Sequence, residues 1–295
     1  MGAFGARASL ASPTPDPSRL REGRIVRICW FCPLPKSLPI CLSALMPPAV
    51  LVTGGARRIG AAIARSFGAA GWHVVIHHRD SQDEAEALAS ALPSANVVAC
   101  DLGDGNAAVA MIEGLACRLD DWRVLVNNAS VFHHDDAAQL DPAVFAEAMA
   151  VNAASPVRMT QAFLAHARAA GGRRVIQVTD QKLFNPNPDF LSYTMAKHAF
   201  GATIPMLAMA SRHPGDRIYG LAPGASLPSF DQHDAEHEVS GRLNLLERLT
   251  DPQELAEAAL FLSQGWLASG ETLFVDSGLH LLPQPRDVLF MARSL

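Results

Sequence analysis

Tyr193 and Lys197 stand four residues apart in the run Ser192-Tyr193-Thr194-Met195-Ala196-Lys197. In a helix that spacing stacks the two side chains on one face, setting an ammonium beside a phenol. A free phenol ionises near pH ~10 and is a poor acid at neutral pH. A neighbouring cation favours the phenolate and lowers that pKa, which makes tyrosine a usable proton donor. Asp180, upstream at the end of an apolar run, adds a carboxyl group that can hydrogen-bond a ring nitrogen or join a proton relay. Tyr-x-x-x-Lys spacing also arises by chance on solvated helix faces, so its meaning depends on the elements around it.

Those elements read as a strict alternation of strands and helices. Short apolar runs at 49–52, 73–77, 96–99, 123–126, 174–178, 217–221 and 272–275 predict seven strands. Helical patterns separate them at about 59–70, 82–92, 105–119, 142–170, 191–212 and 252–264. Alternation of this kind implies an α/β fold, a single Rossmann-like doubly wound domain with a seven-stranded parallel sheet covered on both faces. Ligands of such sheets bind outside the carboxyl ends of the strands, where the strand order reverses. Arg58, Asn127, Ser130, Asp180 and Ser226 all lie there, with Tyr193 and Lys197 on the helix after strand five.

The first strand ends in Thr53-Gly54-Gly55-Ala56-Arg57-Arg58-Ile59-Gly60. This is a strand, Gly-rich turn and helix start, suited to a pyrophosphate on backbone N–H groups. Gly54 and Gly60 supply the tight turn and close packing, and Arg58 replaces the usual middle glycine. Arg57 and Arg58 give the turn two cations. The second strand ends in His77-His78-Arg79, where a site selective for NAD would carry a carboxylate. Arg79 there favours a 2'-phosphate and hence NADPH, while Asp80 would repel that phosphate if it pointed inward.

From about 48 to 280 the chain resembles the short-chain dehydrogenases/reductases. Thr53-Gly54, Asn127-Asn128-Ala129, Tyr193-x-x-x-Lys197, Pro223-Gly224 and Val275-Asp276 are that family's marks, in its order. Within it the chain resembles the pteridine reductases and bacterial dihydromonapterin reductases. The turn running through Arg58, the His78-Arg79 strand end, the Tyr193–Lys197 helix and Asp180 in place of a catalytic serine carry this narrower likeness. The stretch from Ser226 to His237 looks like the substrate loop of the dihydromonapterin branch. The resemblance implies catalysis by Asp180, Tyr193, Lys197 and Asn152, the last holding a helix open for a water behind Lys197. It implies cofactor contacts from Ile59, His78, Asp101, Leu102, Asn127, Ala129, Ser130, Pro223 and Gly224, besides the turn and the Tyr/Lys pair. Substrate contacts would come from Ser130, Phe132, Asp180, Tyr193 and Ser226, with Phe132 stacking on a pterin.

The expected activity is NADPH-dependent reduction of a dihydropterin (dihydromonapterin, dihydrobiopterin or dihydrofolate) to its tetrahydro form. Alternatives stay open at single residues: Asp180 as a helix cap with Ser192 serving instead, and Phe132 as a core residue under a loop. They stay open for the whole chain too: an NADPH-dependent carbonyl reductase of the same family, or a nucleotide sensor without chemistry, though the intact Tyr/Lys pair speaks against the sensor. The family likeness also implies a homotetramer, built through the helices after strands four and five.

Composition sets outer bounds. Of 295 residues, 49% are hydrophobic and 18% charged, enough apolar material for a large core. A net charge of -5 argues against nucleic acid as a partner. No apolar run reaches the ~18 residues that span a membrane. The five cysteines form no disulfide framework, which fits a reducing cytoplasm. Cys29 and Cys32 lack a partner pair, and among His133, His134, His233 and His237 the one i, i+4 pair with a carboxylate, His233/His237, reads as loop surface, so no metal is expected. The Pro-, Ser- and Arg-rich residues 1–46 read as a disordered extension or a misassigned start, with Met46 a credible first residue. Residues 47–282 form the reductase domain. Residues 283–295 are a tail whose Val288, Leu289, Phe290 and Met291 would pack on a neighbouring subunit or fray.

Overall fold

In the computed structural model of the chain, the described residues are 47–211, 213–229 and 232–295. The reading of residues 1–46, with Cys29 and Cys32, and of Phe230 and Asp231 in the substrate loop, lies outside them. The apolar runs become β1 (Ala49–Val52), β2 (His73–His78), β3 (Ala95–Ala99), β4 (Trp122–Asn127), β5 (Arg174–Val178), β6 (Arg217–Pro223) and β7 (Thr272–Val275). All pair in parallel, in the order β3-β2-β1-β4-β5-β6-β7. The order therefore reverses between β1 and β4, and the crevice at their carboxyl ends is where a ligand would sit.

The helices are α1 (Arg58–Ala69), α2 (Gln82–Ala91), α3 (Gly105–Ala116), α4 (Pro142–Met149), α5 (Ser155–His166), α6 (Leu191–Ala210), α7 (Asp234–Ser240), α8 (Pro252–Ser263) and α9 (Val288–Ala292). Strand alternation sorts the core into two layers. Val50, Val52, Val74, Ile76, Val124 and Val126 face α1 and α8, meeting Ile63, Phe67, Leu255 and Leu262. Leu51, Val75, Leu125 and Trp122 face the other way, onto Ile112, Met159, Phe163 and Ile204 of α3, α5 and α6. Each fully buried side chain of this size stabilises the fold by ~1.5–3 kcal/mol, so the sheet is a rigid platform for its strand ends. Asp104, Asp141 and Asp251 accept hydrogen bonds from the first N–H groups of α3, α4 and α8 and fix where those helices begin.

Three expectations change. The helix predicted over 142–170 is broken: a π turn, Ala150–Ala154, separates α4 from α5. Pro156 lacks an N–H and its ring crowds the carbonyl one turn back, so the helix widens before it. The stretch expected as a substrate loop, Ser226 to His237, runs into α7, at whose start Glu236 accepts from the His233 N–H. His237 is therefore a buried helix residue and not loop surface. The tail folds as well. Asp287 caps α9, and Leu289 is buried against this chain's own Phe190 and Tyr193. Among the described residues no helix is long and apolar enough to cross a membrane, and no cluster of His, Cys, Asp and Glu could hold a metal.

Candidate active site

One cavity of about 700 Å³ runs along the carboxyl ends of β1, β2, β4, β5 and β6, within the size range of small-molecule sites. It is bordered by Gly54, Arg57, Arg58, Ile59, Gly60, His78, Arg79, Asp101, Leu102, Ala129, Ser130, Phe132, Asp180, Tyr193, Pro223, Gly224 and Ser226. Of the residues expected at the site, Asn127, Asn152 and Lys197 do not border it.

At its centre the Tyr193 hydroxyl donates to Asp180 Oδ2 at 2.6 Å. Asp180 Oδ1 accepts from the Lys182 backbone N–H at 2.8 Å and caps the short 3-10 turn Gln181–Leu183. The capping role and the role beside the phenol therefore coexist on the two oxygens of one carboxyl group. Burial pushes the Asp180 carboxyl up from its ordinary value, against the opposing pulls of Lys182, Tyr193 and Lys197. Burial, then the Asp180 charge and hydrogen bond, push the Tyr193 phenol well up. Lys197 lies 5.6 Å from the centre of the Tyr193 ring and donates to the Val178 carbonyl at 2.8 Å. Burial brings its ammonium down to about 8. Desolvation and Asp180 push the Tyr193 phenol up, while the Lys197 charge pulls the Asp180 carboxyl down. Two groups this close titrate as a pair, and both favour keeping a proton.

Ser192 is excluded from that role by its own bonds. It is fully buried, its backbone N–H donates to Asp135 Oδ1 at 2.9 Å, and its hydroxyl donates to Asp135 Oδ2. Asp135 so anchors the start of α6 and aims Tyr193. Asn152 sits in the π turn, where its amide donates to and accepts from the Val131 backbone, each at 2.8 Å. It ties the widened turn to the strand end beside Phe132. Asn127 departs from expectation. Its amide donates to Pro156, Thr160 and Gln177 inside the core, so it braces β4 against β5 and α5 and does not border the cavity. Asn128 borders it instead and donates to the Thr53 carbonyl at 2.8 Å.

The turn after β1 is a cradle that side chains would fill. Gly54 has φ +61, and a Cβ on Gly60 would lie 2.1 Å from the Gly54 carbonyl oxygen. Arg58 adopts φ +54, the left-handed region that a glycine favours. Its guanidinium reaches the Pro228 and Leu227 carbonyls at 2.8 and 3.4 Å, linking the turn to the loop after β6. Arg57 instead pairs with Glu84 of α2. At the far end Arg79 is half-exposed and paired with its neighbour Asp80 at 2.6 Å, and the buried His78 Nδ1 has no hydrogen-bond partner. A tight glycine turn with a cation and an unsatisfied imidazole beyond it fits a phosphorylated dinucleotide. Asp101 accepts from Gly103 N–H at 2.8 Å, which fixes the loop after β3 along the same edge.

Phe132 borders the cavity with its ring stacked on Phe190 (centroids 4.1 Å apart, 22° between planes) and edge-on to Tyr193 at 4.6 Å. Sequence reasoning passed over two residues near this machinery. His77 Nδ1 accepts from the Gly54 N–H at 3.1 Å while Nε2 meets the Cys100 carbonyl at 3.0 Å, so its proton belongs on Nε2. A histidine at an inward strand position was the available signal. Lys182, buried at 3% exposure, carries its ammonium to Asp287 at 2.7 Å, and no local pattern marks it.

This arrangement defines a short-chain dehydrogenase/reductase, and the chain belongs to that family. A family model described as enoyl-(acyl carrier protein) reductase matches residues 54–280. The FolM alternative dihydrofolate reductase 1 of Brucella canis, solved in complex with NADP, is similar at 32% identity and TM-score 0.75, over 81% of this chain and 96% of that one. Pteridine reductase 1 of Leishmania tarentolae is 27% identical over 79% of this chain and 96% of its own. Similarity extends to other chemistry: the angucycline C-6 ketoreductase LanV, solved with bound NADP, is 26% identical with TM-score 0.71, over 80% of this chain and 96% of that one.

Proposed function

We propose that this chain is an NADPH-dependent reductase that converts a dihydropterin (dihydromonapterin, dihydrobiopterin or dihydrofolate) to its tetrahydro form. The observation that carries the reading is the carboxyl group of Asp180 hydrogen-bonded to Tyr193 at the centre of the cavity, beside the Phe132 ring. Reducing a C=N bond places a hydride on carbon and a proton on nitrogen. NADPH supplies the hydride when bound along the turn and Arg79. The chain itself must orient a flat heterocycle and deliver the proton. Phe132 gives an aromatic wall for such a ring, and Ser130 and Ser226 border the same space as hydrogen-bonding groups. Burial raises the proton affinity of both Asp180 and Tyr193, and the pair, hydrogen-bonded at the centre of the cavity, is the proton source for the ring nitrogen in this reading. Lys197 holds the positive field behind Asp180 and stands ready for the cofactor ribose.

A second reading, carbonyl reduction, is favoured by the likeness to the ketoreductase. It is disfavoured by a carboxyl group in place of a hydroxyl donor. A cytoplasmic homotetramer is the form we expect, and the exposed Met206 and Met209 of α6 offer apolar surface for contacts between subunits. The test is NADPH oxidation by the purified chain against dihydropterins and a panel of small ketones, with NADH in parallel. Turnover of a dihydropterin with NADPH supports the reading, and turnover of ketones alone rejects it.

A further inference from the structure

The aromatic wall does not end at Phe132. Phe190, which starts α6 from a left-handed φ of +55, stacks on Phe132 and also on Phe290 of α9, at 5.9 Å and 24°. A bulky residue is strained in the left-handed region, and such strain persists only where its surroundings over-determine it. Here the surroundings include the C-terminal segment. Asp287, Val288 and Leu289 border the cavity directly, and Leu289, only 3% exposed, packs on Phe190 and Tyr193.

Three charge pairs hold that segment down. Arg286 pairs with Asp189 at 2.7 Å, Asp287 with Lys182 at 2.7 Å, and Arg293 with Glu236 of α7 at 3.3 Å. The Asp287 backbone N–H also donates to Asp189 at 2.7 Å. Asp189 and Lys182 are almost wholly buried, so breaking either pair would leave an uncompensated charge inside the protein. Lys182 does two jobs at once. Its ammonium holds the tail and its backbone N–H holds the Asp180 carboxyl. The segment is therefore fastened to the two features that the proposed chemistry needs, the Asp180–Tyr193 pair and the Phe132 wall.

We infer that the C-terminal residues 286–290 form a wall of the substrate site, with Leu289 setting how large a substrate fits beside Tyr193. The inference rests on the dihydropterin reading and deepens it. A pterin with a short side chain fits within the wall, whereas dihydrofolate carries an aminobenzoyl-glutamate arm that must pass it. The wall is thus a size filter supplied by the last turn of the chain.

The experiment compares kcat/KM for dihydrobiopterin and for dihydrofolate in the full chain, in Leu289→Ala and in Arg286→Ala, with NADPH affinity from fluorescence as the check on folding. The expected result is that the native chain prefers dihydrobiopterin and that Leu289→Ala narrows the preference at least tenfold, chiefly through KM for dihydrofolate, with NADPH affinity unchanged. Arg286→Ala, which loosens the segment from outside the cavity, shifts the ratio in the same direction. If both substrates fall together, or the ratio stays put in both variants while NADPH still binds, the inference is overturned and the dihydropterin reading survives. If the native chain reduces neither pterin, that reading fails, and the same comparison on a small and a bulky ketone then decides the wall separately.

Discussion

Replacing Asp180 with asparagine separates the two jobs of this residue. Asparagine keeps an oxygen for the Lys182 N–H at the short turn, so the cap is preserved. It cannot hold or release a proton, and it presents neutral amide groups to the Tyr193 hydroxyl, which now donates to Asp180 Oδ2 at 2.6 Å. A hydrogen bond to a charged group contributes ~1.5–3 kcal/mol, and a positioned acid contributes ~10²–10⁴-fold in rate. The expected fall in kcat is therefore on the order of 10²–10³-fold, with NADPH affinity little changed. Stability should move the other way. Because burial raises the Asp180 pKa in the folded chain, the folded state binds more protons than the unfolded one just above the ordinary carboxylate range. Stability is lost as pH rises through that window, and an uncharged residue removes this penalty. The melting temperature of Asp180→Asn at pH 7 should thus equal or exceed that of the native chain. Steady-state kinetics and thermal melts on the same preparation check both halves. A variant that keeps kcat within a few-fold would show that Asp180 serves only as the cap of the short turn, and the mechanism would fall.

Tyr193→Phe should abolish most turnover while NADPH still binds, as titrated by fluorescence; an active variant would remove the phenol from the mechanism. His77 gives a pH signature. Burial brings its imidazole down to about 4, whereas the unfolded chain takes up that proton near 6.5. The unfolded state therefore binds more protons between those values, and stability present above pH 6.5 is lost as pH falls toward 4, by up to about 3 kcal/mol. Melting temperatures across that range should drop in the native chain and flatten in His77→Gln. Arg79→Ala should weaken NADPH by ~10- to 100-fold, as loss of a charged hydrogen bond does, and leave NADH nearly unchanged; equal losses for both would move the 2'-phosphate elsewhere.

The strands were legible because each is a short apolar run closed by a turn signal, and strand ends carry most of the site. Gly54, Gly60 and Asp180 were found for that reason, and Tyr193 by its four-residue spacing from Lys197. The misreadings have local causes. Asn127 looks identical in sequence whether it faces the cavity or the core, and only the packing of Thr160 and Gln177 decides. The π turn was announced by Pro156, whose missing N–H falls inside an otherwise continuous helical pattern. The tail was open because an apolar run of four residues specifies burial without specifying against what. Asp287 before Val288 is a helix-start signal, but its partner Lys182 lies too far away in sequence to be paired by pattern.

In the proposed reaction this site adds a hydride to a ring carbon and a solvent-derived proton to the adjacent nitrogen of a dihydropterin. The most direct measurement is turnover with NADPH deuterated at the transferable position, followed by mass spectrometry of the product. The expected product is a tetrahydropterin carrying one deuterium on the carbon of the former C=N bond, lost from the cofactor in equal amount. An unlabelled pterin recovered unchanged, beside a deuterated alcohol from a ketone present in the same reaction, would contradict it.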